Sequence, residues 1–283
     1  GYSTSDFEGN FHPTIITEYA SNGTLRDILD EEIMGLSKPG WNMTKKLINI
    51  YGIANGMKYL HSHSILHRDL KSNNILLDDN LYPLISDFGL SKITEGCSES
   101  LIYQSIANLK GTPNYCSPEY LTSLIFTQAS DVYAFGLIVY EIMSGLVPFS
   151  NAKNLIDLFN IICKKCYRPE LTPEITQAYK NLIERCWSQN PEERPSFSEI
   201  VSELEDYECG FIIDTIDELE FEEYCEFLNE HKSTFELDNS VHFNNFLQNK
   251  NSPPKSNQNF NIRKSTLRRK TIYNAPNLDQ PNS

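Results

Sequence analysis

The sequence has no apolar run long enough to cross a bilayer. Its longest, 135–143, is interrupted by Gly136, Tyr140 and Glu141, and a spanning helix needs about 20 apolar residues. No secretory leader opens the chain. Residue 1 is Gly rather than Met, which reads as a cut through a longer protein. Basic residues are scarce, with 24 Lys and Arg against 38 Asp and Glu and a net charge of −14. That balance repels phosphate-rich partners and argues against nucleic acid or an anionic membrane as a general partner. A disulfide framework is also missing. The seven cysteines are scattered and odd in number, which fits free thiols in a reducing, cytoplasmic setting. Cys163 and Cys166 form a lone C-x-x-C with no second pair at zinc-finger spacing, and read as two thiols on or near a helix. There is no internal repeat.

What is present is ordinary globular sequence from Phe11 to about Tyr207. The 283 residues, 40% of them hydrophobic, suffice for one large or two small domains with a sizeable core. Ile15 and Ile16 lead through Thr17 and Glu18 into Ser21-Asn22-Gly23, a strand ending in a turn. Gly1 and Tyr2 read as a preceding strand, with 3–12 as the connecting turn. Leu47, Ile48, Tyr51, Ala54, Met57 and Leu60 recur in steps of three and four, giving one buried face of a helix over 44–61. Thr44 is its expected N-cap. Short β-like runs follow at 64–66, 75–77 and 83–86. Residues 131–144 are apolar nearly all round, which predicts a buried helix capped by Gly145. Further helices are expected over 154–164, 175–187 and 196–207.

Composition changes after Tyr207. Residues 208–238 are heavily acidic, and Phe211, Ile212, Ile216, Leu219, Phe227 and Leu228 give them the makings of a short amphipathic helix. Residues 239–283 are rich in Asn, Ser and Pro, a disordered composition, with a basic cluster at Arg263-Lys264 and Arg268-Arg269-Lys270. The expected organisation is therefore a domain over 1–207, an acidic extension over 208–238 and a tail over 239–283.

Two loops carry chemistry. His67-Arg68-Asp69-Leu70-Lys71-Ser72-Asn73-Asn74 lies between two apolar runs. Asp69 and Asn74, five apart, can aim at one point: a carboxylate to take a hydroxyl proton and an amide oxygen to hold a metal ion. Lys71 between them can neutralise phosphate charge. Asp87-Phe88-Gly89 follows a short strand; Asp87 offers hard oxygen ligands for Mg²⁺, and Gly89 lets the backbone turn away. The bland readings apply elsewhere. Trp187 and Tyr133 read as core, and His61 and His63 as a surface cap at a helix end.

Either triplet alone is a weak signal. Together, in this order and at this spacing, they resemble the signature set of the eukaryotic protein kinases. Gly111-Thr112-Pro113-Asn114-Tyr115-Cys116-Ser117-Pro118-Glu119 resembles that family's activation-segment end, with Ser117 where Ala is usual. Asp131-Val132-Tyr133-Ala134-Phe135-Gly136 resembles its central buried helix, and Asn190-Pro191-Glu192-Glu193-Arg194-Pro195 its late loop with a buried Arg. The resemblance runs from about Phe11 to Tyr207. It implies a mainly α fold with short β-strands: the C-lobe plus hinge of a protein kinase, with the N-lobe truncated. It implies ATP and Mg²⁺ as cofactors and a protein with Ser or Thr as substrate. By the same resemblance, Asp69 is the catalytic base and Lys71 the phosphate-contacting lysine. Asn74 and Asp87 are the magnesium-binding residues. Thr17 is the gatekeeper, Glu18 and Ala20 the hinge positions, and Leu76 the apolar floor under adenine. Glu119 and Arg194 form a structural ion pair, Asp131 holds the catalytic loop, and His67 and Phe88 pack.

Lys71, with Thr112 before Pro113, resembles the serine/threonine kinases. The hinge 18–25 and Asp131-Val132-Tyr133 resemble the tyrosine-kinase-like group. A tyrosine-kinase-like enzyme with Ser/Thr specificity fits both, with dual specificity left open. Arg68 is placed to pair with a phosphate on the segment between Gly89 and Glu119, where Ser98, Ser100, Tyr103 and Ser105 are candidates for an upstream activating kinase. Ser265, Thr266 and Thr271 sit beside basic residues in the tail, where a merely solvated segment is the plainer reading. The family's Gly-rich loop, strand lysine and helix glutamate would precede Thr17, and residues 1–16 contain no Lys and no G-x-G-x-x-G. The expectation is a fragment of an active kinase, inactive alone, with an exposed apolar patch and low solubility. The alternative is a naturally short, non-catalytic binding module.

Overall fold

The computed structural model describes residues 2–4, 14–15, 17–87, 92–93 and 114–230. The chain divides into Gly1–Asn229 and Glu230–Ser283, and the described residues lie almost wholly in the first unit. They are mostly helical. Strands β1 (Tyr2–Ser3) and β2 (Thr14–Ile15) pair antiparallel, Tyr2 opposite Ile15. Helices α1 (Leu25–Ile33) and α2 (Met43–Ser62) follow, then β3 (Ile65–Leu66). Strands β4 (Ile75–Leu77) and β5 (Pro83–Ile85) form a hairpin, and β6 (Lys92–Ile93) pairs with β3. The rest is helical: α3 (Pro118–Ser123), α4 (Gln128–Ser144), α5 (Leu155–Phe159), α6 (Gln177–Cys186), α7 (Phe197–Glu205) and α8 over 218–230. None is long and apolar enough to cross a membrane among the described residues.

Helix α4 is the axis of the core. From Ser130 to Ile142 every residue is buried, so its sequence is apolar all round rather than striped. It starts at a capping box between Thr127 and Ser130 and ends at Gly145, in the left-handed region at φ 75°, where a side chain would be strained. Midway, Gly136 lets α6 come close: a Cβ there would sit 2.6 Å from the Cys186 Cβ. Tyr133, Phe135 and Trp187 are buried, as their patterning implied.

Several boundaries differ from the pattern. The N-cap of α2 is Asn42, whose side chain accepts from Lys45 N. Thr44 lies inside the helix, buried, and its hydroxyl accepts from Asp217 N at 2.8 Å. The segment 154–164 is a short α-helix running into a π-helical turn, Asn160–Lys164. The helix expected from 175 starts at Gln177. Helix α1 has no counterpart in the periodicity reading. Its signal is the box Thr24-x-x-Asp27, whose side chains and backbones bond reciprocally.

The acidic stretch after Tyr207 packs on the same core. Phe211, Ile216, Phe221 and Tyr224 are buried, whereas Leu219 and Phe227 face outward. Helix α8 lies against α2 and the β4–β5 hairpin. Tyr51 meets Phe221 edge-on with centroids 5.4 Å apart, and Tyr82 lies 4.6 Å from Tyr224. Gly52 makes the approach feasible, because a Cβ there would be 2.2 Å from the Tyr224 hydroxyl. Lys45 pairs with Glu220.

Two substitutions check this packing by urea unfolding. Tyr224→Ala is expected to cost about 3 kcal/mol, the usual loss for a buried aromatic. Gly52→Leu is expected to detach α8 without opening the α4 core.

Candidate active site

The HRD-type loop is held from below by one buried carboxylate. Asp131, in the first turn of α4, is fully buried. Its Oδ2 accepts from His67 N at 3.0 Å and its Oδ1 from Arg68 N at 3.1 Å. His61 Nε2 reaches Oδ2 at 2.9 Å. His61 is therefore no surface cap. It is 9% exposed at its side chain and belongs to the support of the loop. These bonds fix Arg68 in the left-handed region at φ 71°, which costs a non-glycine residue of order 1 kcal/mol.

With the backbone pinned, Asp69, Lys71 and Asn74 converge. Lys71 Nζ donates to Asp69 Oδ2 at 2.7 Å. Asn74 Nδ2 donates to Asp69 O at 2.7 Å and to Asp69 Oδ2 at 2.9 Å. Both side-chain donors fall on Oδ2, which leaves Oδ1 as the atom for an incoming hydroxyl. Asn74 spends its nitrogen on Asp69, so its amide oxygen is the atom for a cation. The Asp69 and Lys71 side chains are about one-third exposed, accessible without being loose.

The hairpin brings the second loop to the first. Ser86 N and Ser86 Oγ both donate to Asn74 O at 2.9 Å, and His67 Nε2 donates to Ser86 O at 3.0 Å. Asp87, the next residue, is exposed and at φ 61°. Phe88 and Gly89 lie outside the described residues, as do 111–113 and the candidates Ser98, Ser100, Tyr103 and Ser105. Among the described residues no group of three or more His, Cys, Asp or Glu could hold a metal ion by itself. A cation between Asn74 and Asp87 would take its other oxygens from phosphate and water, the habit of Mg²⁺. The residues fit that ion.

The expected nucleotide edge is less gathered. Thr17 and Glu18 are exposed and Ala20 half-buried, all in irregular chain after β2. Leu76 is half-buried on β4 and bridges to Thr24. The segment is tied to the hairpin by Asn22 N to Leu77 O at 3.1 Å and Leu77 N to Gly23 O at 2.9 Å. Thus the strand of Leu76 and residues 22–24 share one backbone ladder.

A second polar chain, missed by the motif reading, runs behind the loop. Ser72 Oγ lies 3.0 Å from the Tyr115 hydroxyl, which donates to Glu141 Oε2 at 2.5 Å. Glu141 Oε1 accepts from Arg26 Nη1 at 2.8 Å, and Arg26 Nη2 reaches Gly145 O. Glu141 is fully buried. Burial raises its carboxyl above the ordinary value, against the pull of Tyr115 and Arg26. Buried charges persist only when paired in this way. Sequence signals existed in Arg26, inside an apolar helix face, and Glu141, inside an apolar helix.

Beside Asp69 the wall turns apolar. Burial, then the Asp69 charge, pushes the Cys116 thiol up to about 12, so it stays neutral. Cys116 lines a cavity of about 240 Å³ with Tyr120, Leu121, Leu124, Leu155 and Phe159. Below it, Arg194 clamps α3 through Glu119, at 2.8 Å and 2.9 Å.

The comparisons decide the family. Residues 7–204 match the model of the protein tyrosine and serine/threonine kinases. The chain belongs to that family. It is 38% identical over 197 residues to the serine/threonine/tyrosine-protein kinase HT1 of Arabidopsis thaliana, covering 69% of this chain and 47% of that protein. It is 37% identical over 200 residues to the dual specificity protein kinase pyk3 of Dictyostelium discoideum, covering 71% and 14%. With the dual specificity protein kinase shkC of the same organism it shares 33% over 193 residues, covering 68% and 37%. The chain thus spans less than half the length of these kinases. Helix α8 lies beyond the matched residues.

The Glu119–Arg194 pair gives a pH prediction. Burial pushes the Glu119 carboxyl up, but the hydrogen bonds and charge of Arg194 outweigh it and leave it below its ordinary 4.5. The pair therefore stabilises the fold above pH 4.5, and that share is lost as pH falls through the lower folded value. Arg194→Ala is expected to cost about 3 kcal/mol at pH 7, with the gap to wild type narrowing in acid. Urea titrations at several pH values check both.

Proposed function

We propose that this chain carries the catalytic-loop lobe of a protein kinase that transfers the γ-phosphoryl group of ATP to protein hydroxyls, Ser and Thr foremost. The observation that carries this reading is the convergence of Lys71 and Asn74 on one oxygen of Asp69, beneath a loop pinned by Asp131. Bound Mg²⁺ would supply charge neutralisation for the phosphates, held by Asn74 and Asp87. The protein's share is positioning and electrostatics, which dominate phosphoryl transfer.

In this mechanism Asp69 Oδ1 accepts the proton of the acceptor hydroxyl as the hydroxyl oxygen bonds to the γ-phosphorus and the bond from that phosphorus to the bridging oxygen breaks, releasing ADP. Lys71, already beside Asp69, neutralises charge on the transferred group and keeps the carboxylate oriented. Asn74 holds the same carboxylate by its amide nitrogen. Thr17, Glu18, Ala20 and Leu76 form the adenine edge, with the backbone of Glu18 and Ala20 as hydrogen-bonding groups. The apolar cavity beside Cys116 receives the polypeptide that bears the hydroxyl.

Lys71 supports a short aliphatic acceptor. Two of the relatives are dual specificity kinases, which keeps tyrosine as a second acceptor. An upstream kinase acting between Gly89 and Glu119 fits Arg68, next to Asp69. Six free cysteines among the described residues support a reducing, cytoplasmic setting.

Asp69→Asn in the full-length protein tests the reading. The expected loss is about 10²- to 10⁴-fold in kcat, the range for a general base, with KM for ATP nearly unchanged. Ser, Thr and Tyr peptides assayed side by side give the acceptor preference. Retained turnover in Asp69→Asn would contradict the assignment.

A further inference from the structure

Residues 206–229 lie beyond the family match and form a strap on the back of the lobe. A 3₁₀ turn, Tyr207–Cys209, starts it, with Asp206 accepting from Glu208 N. Phe211 is buried against Tyr179, centroids 5.1 Å apart. Helix α8 then seats Phe221 and Tyr224 on Tyr51, Gly52 and Tyr82.

The Tyr207 phenol joins the two ends of the strap. Tyr207, half-exposed, donates its hydroxyl to Glu222 Oε1 on α8 at 2.5 Å. Its surroundings are acidic: Asp206 and Glu208 flank it, and Glu218 and Glu222 face it from α8. Arg185, on the neighbouring α6, is committed to Glu203 by two bonds. By contrast, Tyr51 and Tyr224 are sealed inside. Tyr207 is thus an accessible phenol whose oxygen makes a contact the neutral form alone can make.

We propose that Tyr207 is a tyrosine-phosphorylation site, and that a phosphate there lifts helix α8 off α2 and the β4–β5 hairpin. A protein-tyrosine kinase and ATP are the co-reactants. The phenolic oxygen bonds to the γ-phosphorus, the bond from that phosphorus to the bridging oxygen of ADP breaks, and the phenolic proton passes to that kinase's catalytic base. The hydroxyl donor to Glu222 is replaced by a group of charge about −2, set among carboxylates. A phosphate beside Glu or Asp, with the neighbouring Arg185 already committed to Glu203 among the described residues, disrupts by repulsion. The face released is Phe221 and Tyr224, together with the Tyr51 and Gly52 side of α2. The same helix packs on Tyr82, just before the strand that leads to Asp87.

Cys225 is a built-in reporter. It sits on α8 against Tyr51, and burial pushes its thiol up to about 11. Release would return it toward the ordinary value of about 8.5, and the thiolate is the form that reacts. The test treats the whole chain with a recombinant tyrosine kinase and MgATP, maps the phosphate by peptide mass, and follows iodoacetamide modification of Cys225 at pH 8. The expected results are stoichiometric phosphate at Tyr207, and Cys225 modification faster by about tenfold or more, reversed by a tyrosine phosphatase. Glu222→Gln should shrink the acceleration, and Tyr207→Phe should abolish it. Failure to modify Tyr207 while exposed Tyr19 is modified would overturn the proposal. So would an unchanged Cys225 rate at full phosphorylation, or an acceleration untouched by Glu222→Gln.

Discussion

The loop that carries Asp69 depends on Asp131. That carboxylate is buried at the start of α4, and its two oxygens take two successive backbone N–H groups and one imidazole. A buried charge without such partners would cost several kcal/mol, so neither side exists without the other. The helix fixes where the carboxylate sits, and the carboxylate fixes a turn that Arg68 would not adopt freely. The N-terminus of α4 adds a favourable field for a negative group. Everything chemical in the lobe is arranged from that point: Asp69 emerges one residue later, and Lys71 and Asn74 close on it.

A second layer of constraint links the loop to the rest of the core. Ser72, Tyr115, Glu141 and Arg26 join the loop, the segment before α3, the middle of α4 and the face of α1. Asn74 and His67 tie in the strand before Asp87 through Ser86. Each link is a buried or half-buried hydrogen bond, where loss of one partner strands the other. The loop is therefore tied firmly to the core on its lower side, while Thr17 and Glu18 are exposed.

Much of this was legible in the chain. The spacing of Asp69 and Asn74 anticipated their convergence, and the all-round apolar run over 131–144 located α4, because burial on every face leaves a composition that periodicity cannot mimic. Local rules did less well where a tertiary partner decides. Thr44 has the residue type of a cap, yet its hydroxyl serves Asp217, far along the chain. His61 has the look of a surface residue at a helix end, yet Asp131 claims it. Helix α1 was passed over because its apolar stripe is short and interrupted by Arg26, whose partner Glu141 lies 115 positions away. The acidic content of 208–238 hid Phe221 and Tyr224. Net charge describes the outer face of α8 and says nothing of the inner one.

The central claim is that the pinned loop and the hairpin deliver Asn74 and Asp87 to one cation on the transferred phosphate. The most direct measurement is the Mg²⁺ dependence of phosphoryl transfer by the full-length protein, wild type against Asp87→Asn. The account predicts that the variant loses transfer at Mg²⁺ levels that saturate wild type, with the fold intact by circular dichroism. Equal rates and the same Mg²⁺ dependence in both proteins would contradict it.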